Sequence, residues 1–127
     1  MEKETAQKII ESYIEAYNNF DIDGMIRHVH PDIAFKNFVD GEVTHSILGI
    51  EGFKLQAKEA TQYFESRNQT ITQLDLQSNR AEVWVDYTGT LAVDLPNGLN
   101  AGEKLELKGK SIFVFEDDKI ISLEDHS

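Results

Sequence analysis

The most consequential absence in this 127-residue chain is cysteine, which does not occur at all. Without thiols the protein has no disulfides, no thiolate nucleophile and no thiolate ligand for a metal. Any catalytic site must therefore be built from carboxyl, hydroxyl, amide and imidazole groups.

Basic residues are also scarce. The chain has 12 Lys and Arg against 23 Asp and Glu, and its formal net charge is −11. Nucleic acids and anionic membranes are bound through clustered Lys and Arg, because these side chains neutralise phosphate groups. The charge balance therefore argues against both kinds of partner.

Long apolar runs are missing as well. No run approaches the roughly 20 residues that a membrane-spanning helix needs, and no signal peptide precedes Glu2–Glu4. We expect a soluble, cytoplasmic protein. Hydrophobic residues make up 40% and charged residues 28%, which predicts one globular domain over residues 1–127, large enough to enclose a cavity.

Three segments predict helices. In the first, apolar side chains recur at the spacing of one helical face: Ala6, Ile9, Ile10, Tyr13, Ile14 and Tyr17. A short second helix is predicted over about 23–30, where Pro31 would end it. A third is predicted over about 50–66, where apolar residues recur every three or four positions.

The other segments predict strands and turns. The strands are expected at about 32–38, about 43–48, Ile71–Gln77, Arg80–Val93, Leu105–Phe115 and Lys119–Asp125. Turns are expected at Ser78-Asn79, Pro96-Asn97-Gly98 and Asp117-Asp118. The order α-α-β-β-α-β-β-β-β predicts an α+β fold, with helices packed on one face of a curved antiparallel sheet.

Several stretches carry a family resemblance. They are Tyr13 with the following Asn18–Gly24, the His30-Pro31-Asp32 entry to the first strand, and the closing strand pair Ser111–Phe115 and Lys119–Leu123. Together with the element order, they resemble the nuclear transport factor 2-like superfamily. Within it the chain looks most like the SnoaL-like group, which includes polyketide cyclases and has ketosteroid isomerase as a relative. The resemblance implies a cone with a deep pocket between helices and sheet.

Ketosteroid isomerase chemistry can be compared residue by residue. That family uses a tyrosine and a protonated aspartate to bind an oxyanion and a second aspartate as the base. The tyrosine falls on Tyr13, the base on Asn37 and the second oxyanion donor on Ser111. Because an amide cannot take a proton from carbon at neutral pH, steroid isomerisation by that mechanism is not expected.

Asp125 offers another proton-transfer group. On the last predicted strand Leu123 and Asp125 share one face, with Ile120, Ser122 and Glu124 on the other. An apolar pocket would raise the pKa of Asp125 into a range useful for a general acid or base. SnoaL-like cyclases resemble this arrangement, so Asp125 and Tyr13 are our catalytic candidates. The alternative is a solvated carboxylate near the chain end.

Strand alternation also predicts which residues line the pocket. Ser111, Phe113 and Phe115 are expected to face inward, as are Val83, Val85 and Tyr87, which leaves Trp84 exposed. The candidate ligand contacts are Asn37, Ser111, Tyr17, His45, Val85, Tyr87, Phe113 and Leu123. Structural roles remain open for Tyr13, as a core tyrosine, and for Asn37, as a residue that holds a neighbouring loop.

No cofactor or metal is expected. The four histidines, His28, His30, His45 and His126, are scattered, and none shows the paired helical spacing of a zinc site. Structural roles are the simpler interpretation for most of them, while His45 near the pocket rim is retained as a weak site candidate.

The predicted function is binding of a small, hydrophobic, oxygen-bearing molecule, with cofactor-free proton transfer or cyclisation on it. One alternative is a non-catalytic carrier or sensor that uses the same pocket. Another is a dimerisation or scaffold module whose cavity is filled by side chains. An exposed Trp84 on the outer sheet face favours a homodimer formed through that face.

Overall fold

The computed structural model describes residues 1–96 and 98–127, so Asn97 in the predicted Pro96-Asn97-Gly98 turn lies outside the described residues. In chain order the described elements are α1 (Lys3–Asn18), α2 (Ile22–Ile26), β1 (Val29–Val39), β2 (Glu42–Leu48), α3 (Ile50–Thr61), β3 (Phe64–Gln77), β4 (Arg80–Leu91), β5 (Lys104–Glu116) and β6 (Lys119–His126). The predicted order of helices and strands is confirmed.

The strands form one sheet in the order β2-β1-β6-β5-β4-β3. All neighbours pair antiparallel except β1 and β6, which are parallel. The edge strands β2 and β3 do not pair with each other, so the curved sheet stays unclosed. The predicted α+β fold is confirmed, with one parallel pair that the sequence did not indicate.

The core lies between the helices and one face of the sheet. Ile10 of α1 and Phe53 of α3 are almost fully buried with Phe113 and Leu123 of the sheet. The ring of Tyr13 meets that of Phe113 edge-on at 5.9 Å between centroids. Apolar burial of this kind stabilises a side chain by about 1.5–3 kcal/mol, which explains why the helical face predicted from spacing is the buried one.

The start of β1 differs from the prediction. Helix α2 ends at Ile26, not near residue 30, and β1 begins at Val29, so Pro31 lies inside a strand. The parallel partner β6 explains this, since Val29 pairs with Ile120 and the Ile120 N–H donates to the His28 carbonyl at 2.8 Å. The ladder is irregular between Val29 and Ala34, which is where a proline without an N–H is tolerated.

The boundary between α3 and β3 also differs. Helix α3 ends at Thr61 and not near residue 66, and β3 begins at Phe64 and not at Ile71. The polar stretch before Ile71 pairs with β4, where Arg67 lies opposite Gly89. Because β3 is an edge strand with mostly exposed side chains, its first half lacks the apolar alternation that identifies a strand.

A bulge changes the faces predicted for β6. Val114 pairs with Ser122 but Phe115 pairs with Ile120, so Ile121 is an extra residue. Ile120 is therefore fully buried, like Leu123, although simple alternation places them on opposite faces. The bulge leaves Asp125 on the inner face with Leu123, as predicted.

Trp84 is half-buried and not exposed as expected. The ammonium of Lys110 lies 5.2 Å from the centroid of its ring and covers part of it. A homodimer through this face remains a prediction. Among the described residues no helix is both long and apolar enough to cross a membrane.

The C-terminal end of α1 has a tight geometry that matters for the site. Phe20 follows the helix in the left-handed conformation, with φ of 57°. The Phe20 N–H donates to the Tyr17 carbonyl and the Asp21 N–H to the Ala16 carbonyl, which ends the helix. A non-glycine residue in this conformation costs about 1–2 kcal/mol, and the Phe20 ring lies against Arg67 of β3.

Candidate functional site

Two cavities lie between the helices and the inner face of the sheet. The larger, of about 290 Å³, is lined by Tyr17 of α1, by Val85 and Tyr87 of β4, and by Ser111 and other residues of β5. The smaller, of about 110 Å³, extends toward α3 and is lined by residues that include Tyr13, Phe53 and Arg67. Three residues line both cavities: Tyr17, Asn37 and Asp125.

Asp125 is the acidic group at this junction. Ser111 is buried, and its hydroxyl donates a hydrogen bond of 2.7 Å to Asp125 Oδ1. Burial raises the pKa of the Asp125 carboxyl above its ordinary value, and the Ser111 hydrogen bond and the charge of His126 only partly oppose that rise. The carboxyl is thus ordered by a neighbour and lies in surroundings that favour its neutral form more than water does.

The sheet register explains why these groups meet. Asn37 of β1 and Ser111 of β5 lie on either side of Asp125 in β6 as directly paired residues. Side chains of paired residues project from the same face of a sheet. A single cross-strand row therefore brings an amide, a carboxyl and a hydroxyl to the inner face.

Three tyrosines surround this row. The Tyr17 hydroxyl donates to the Tyr87 hydroxyl at 3.2 Å, which leaves one hydroxyl proton of the pair for another acceptor. Burial raises the pKa of Tyr17 and Tyr87, so both stay protonated and act as hydrogen-bond donors. Burial and the negative charge of Asp125 raise the pKa of Tyr13, which indicates that this phenol and the carboxyl influence each other.

Asn37 and His45 differ in placement. The Asn37 side-chain amide donates to Thr44 Oγ1 at 2.8 Å, so Asn37 holds β2 while it also lines both cavities. His45 is exposed on β2, and its Nδ1 lies 3.1 Å from Thr44 Oγ1. It is not among the residues that line these two cavities. The structure therefore separates His45 from the other site candidates.

Phe113 and Leu123 are core residues of the sheet's inner face. Each is 1% exposed, and neither lines the two cavities. Val85 and Tyr87, in contrast, line the larger cavity. Their roles as ligand contacts stay predictions, but position favours Val85 and Tyr87 over the two core residues.

One charged residue of the site is not among the candidates predicted from sequence. Arg67 of β3 is 5% exposed and lines the smaller cavity. The signal was present, because Arg67 and Gln69 are in phase with Ile71 at strand spacing. It was overlooked because the predicted strand began only at Ile71.

Leu105 and Leu107 of β5 were also missed. Both line the larger cavity on its outer side, and Leu107 is 48% exposed. They lie in phase with Ser111 along β5, so the alternation already used for Ser111 and Phe113 identifies them when it is extended toward the start of the strand.

The ionic groups at the larger cavity's rim are paired. Lys110 Nζ lies 3.2 Å from Glu82 Oε1, and His126 Nε2 lies 3.1 Å from Glu124 Oε1. The His126 ring also stacks on Phe38 at 4.4 Å between centroids, which fixes the end of β6 beside Asp125. Within residues 1–96 and 98–127, no group of three or more acidic residues and histidines is placed to hold a metal ion.

The family follows from a comparison with protein-family models. The SnoaL-like domain model matches residues 10–123. This chain belongs to the SnoaL-like family. The family lies within the nuclear transport factor 2-like superfamily, as the sequence resemblance suggested. The matched range ends two residues before Asp125.

Solved structures share the fold. TsrD from Streptomyces laurentii has a TM-score of 0.81 and 19% identity, over 98% of this chain and 89% of its own. IdmH from Streptomyces antibioticus, a proposed polyketide cyclase, has a TM-score of 0.75 and 16% identity, over 94% and 88% of the two chains. A proposed SnoaL-like polyketide cyclase from Jannaschia sp. CCS1 has a TM-score of 0.81 and 10% identity, over 95% of this chain and 83% of its own. A comparison with curated protein sequences finds no significant match.

Proposed function

We propose that this protein binds a small, largely apolar molecule with a carbonyl group and moves a proton beside that carbonyl without a cofactor. Asp125 is the acid–base residue. Tyr17, Tyr87 and Tyr13 provide phenol hydroxyl groups in the cavities that Asp125 lines, and Asn37 and Ser111 flank it on the sheet.

The observation that carries this proposal is the environment of Asp125. Its carboxyl is held at Oδ1 by Ser111 and lies at the junction of two cavities. Burial raises its pKa toward the range in which a carboxyl both accepts and returns a proton near neutral pH. A solvated tail carboxylate has neither an ordering hydrogen bond nor such an environment.

The proposed step balances within the site. The Asp125 carboxylate takes a proton from the carbon next to the ligand carbonyl, and the electrons of the broken C–H bond move to the carbonyl oxygen. The resulting enolate oxygen accepts a hydrogen bond from a tyrosine hydroxyl of the cavity. The protonated carboxyl then returns the proton to carbon, or the enolate carbon forms a C–C bond to a second carbonyl in a ring closure, whose oxygen takes the proton.

Two further observations support the proposal. The larger cavity, at about 290 Å³, is just below the roughly 300–1,000 Å³ typical of small-molecule sites. Solved structures that share the fold include a proposed polyketide cyclase, IdmH, and the ring closure of a polyketide needs proton transfer beside carbonyl groups. The fold by itself carries many activities, so the environment of Asp125 is what favours this one.

Hydrogen–deuterium exchange on a simple ketone tests the proposal. We expect the wild-type protein to accelerate exchange of the carbon-bound hydrogens beside the carbonyl of 2-tetralone in D₂O, followed by proton NMR. Asp125→Asn should reduce the protein-dependent rate at least about 100-fold, because general acid–base groups typically contribute that much. Asp86→Asn is the matched control. Asp86 is exposed, and its Oδ1 lies 3.0 Å from Lys108 Nζ in an ion pair that does not involve Asp125.

The contrary results are equally specific. Equal exchange rates for wild type and Asp125→Asn would remove Asp125 as the acid–base group. Binding of 2-tetralone, seen as shifts of amide resonances of β5 and β6, without faster exchange would instead support a carrier or sensor.

A further inference from the structure

Arg67 is a buried cation that is not held in an ion pair. It projects inward from β3 and is 5% exposed, and its charge lies in the wall of the smaller cavity. Among the described residues, none of the ion pairs includes Arg67. Lys110, which lines the larger cavity, differs from Arg67 in being paired with Glu82.

The guanidinium is nevertheless held firmly. Arg67 Nε donates to the Tyr17 carbonyl at 2.9 Å. Its central carbon lies 3.7 Å from the centroid of the Tyr17 ring and 4.6 Å from that of the Phe20 ring. The second ring belongs to the residue that follows α1 in the left-handed conformation. The result is a fixed orientation of the planar group.

One donor of this fixed group is left over. Arg67 Nη2 is buried and has no hydrogen-bond partner among the described residues. A buried donor without a partner is destabilising, and more so when the group is charged. An arginine cannot escape this cost by losing its proton, because the guanidinium keeps its charge in proteins.

We propose that Arg67 binds an anionic oxygen group of the ligand, of the carboxylate class, at the end of the ligand remote from the reacting carbonyl. A carboxylate accepts hydrogen bonds in the geometry that a guanidinium offers and neutralises its charge. The volume of about 110 Å³ around Arg67 suits such a group, while the larger cavity takes the apolar body. Tyr17, Asn37 and Asp125, which line both spaces, then lie beside the middle of the ligand.

The inference rests on the proposed function only in that both use the same cavities. It adds the charge of the ligand and its orientation, neither of which follows from Asp125. It also gives Arg67 a role that differs from core stabilisation, since packing alone is served as well by an uncharged side chain of similar length.

A matched pair of probes tests the inference. 2-Naphthoate and 2-naphthamide have nearly the same shape, but only the first is anionic. We expect the wild-type protein to bind 2-naphthoate at least tenfold more tightly at pH 7.5, measured by calorimetry. Arg67→Met should lose this preference while it still binds the amide, and Arg67→Lys should keep part of it because the charge remains without the planar fork. Arg80→Met, which removes an arginine that pairs with Glu82 on the surface, should keep the whole preference.

Several results would overturn the inference. They are equal binding of the two probes by the wild type, no binding of 2-naphthoate at millimolar concentration, or an unchanged preference in Arg67→Met. If circular dichroism shows that Arg67→Met does not fold, the binding preferences of the wild type and of Arg67→Lys still test the inference. If the naphthoate preference is absent but the protein still accelerates exchange of 2-tetralone, the inference about Arg67 fails and the proposed function stands. Asp125→Asn should keep the naphthoate preference even though it loses the exchange activity.

Discussion

The hydrogen bond from Ser111 to Asp125 gives the sharpest prediction about stability. Ser111→Ala removes the donor that lies 2.7 Å from Asp125 Oδ1 and leaves a buried carboxyl without it. Hydrogen bonds to charged groups contribute about 1.5–3 kcal/mol, against about 0.5–1.5 kcal/mol for neutral pairs. We therefore expect a loss of about 1.5–3 kcal/mol in the free energy of unfolding at pH 7.5, or a melting temperature lower by roughly 5–12 °C.

The effect must depend on pH in a definite direction. Burial places the pKa of Asp125 in the folded state above the ordinary 3.8, and Ser111 lowers it. Removing Ser111 raises the folded-state pKa further. A group whose pKa is raised by folding contributes its full stability below the unfolded-state pKa and loses it as the pH rises through the folded-state pKa. The loss in the free energy of unfolding caused by Ser111→Ala is thus smallest below about pH 4 and grows toward pH 7.5.

Urea unfolding at both pH values, as a double-mutant cycle with Asp125→Asn, measures this directly. In the Asp125→Asn background the cost of Ser111→Ala should fall to that of a neutral pair. Ser46→Ala, on the exposed face of β2, is the control and should change the stability by less than about 0.5 kcal/mol. An equal cost of Ser111→Ala at both pH values and in both backgrounds would refute the assignment of a charged hydrogen bond.

Three other predictions follow from the same structure. Asp125→Asn should stabilise the protein at pH 7.5, because it removes a carboxylate that burial disfavours, and the gain should vanish below about pH 4; a gain that persists at low pH would contradict this origin. Phe113→Ala should cost about 3–5 kcal/mol in urea unfolding, since Phe113 is 1% exposed, whereas Leu48→Ala, at 81% exposure, should cost almost nothing; comparable losses would contradict the assigned core. The homodimer predicted through the outer sheet face should sediment at twice the 14.4 kDa chain mass and dissociate in Trp84→Glu; a wild-type mass of one chain would refute it.

The helical and strand patterns were predictable where one face of an element is buried. The spacing of Ile10, Tyr13 and Ile14 identified α1, and the alternation of Ser111, Phe113 and Phe115 identified the inner face of β5. Burial on one side forces apolar residues into the period of the element, so the sequence carries the signal.

The prediction was wrong where this condition does not hold. The first half of β3 lies at the sheet edge with exposed polar side chains, so its residues show no apolar alternation before Ile71. The end of α3 was placed too late because Phe64 fits the helical spacing, although it pairs with Leu91 as a strand residue. Pairing with a distant strand decided both, and distant pairing leaves little trace in local sequence.

The candidate site divides in the same way. The sequence by itself determined that Asp125 shares the inner face of β6 with Leu123, that Ser111 faces inward, and that no thiol takes part. These are consequences of strand period and composition, which are local properties.

Only the tertiary structure decided which of these groups meet. The parallel pairing of β1 with β6 sets Asn37 beside Asp125, and the antiparallel pairing of β5 sets Ser111 on its other side. The same long-range pairing brings Arg67 of β3 under the end of α1, where the Tyr17 and Phe20 rings enclose it. Period fixes the face of a side chain, but register between strands far apart in the chain fixes its neighbours, and that is a property of the whole fold.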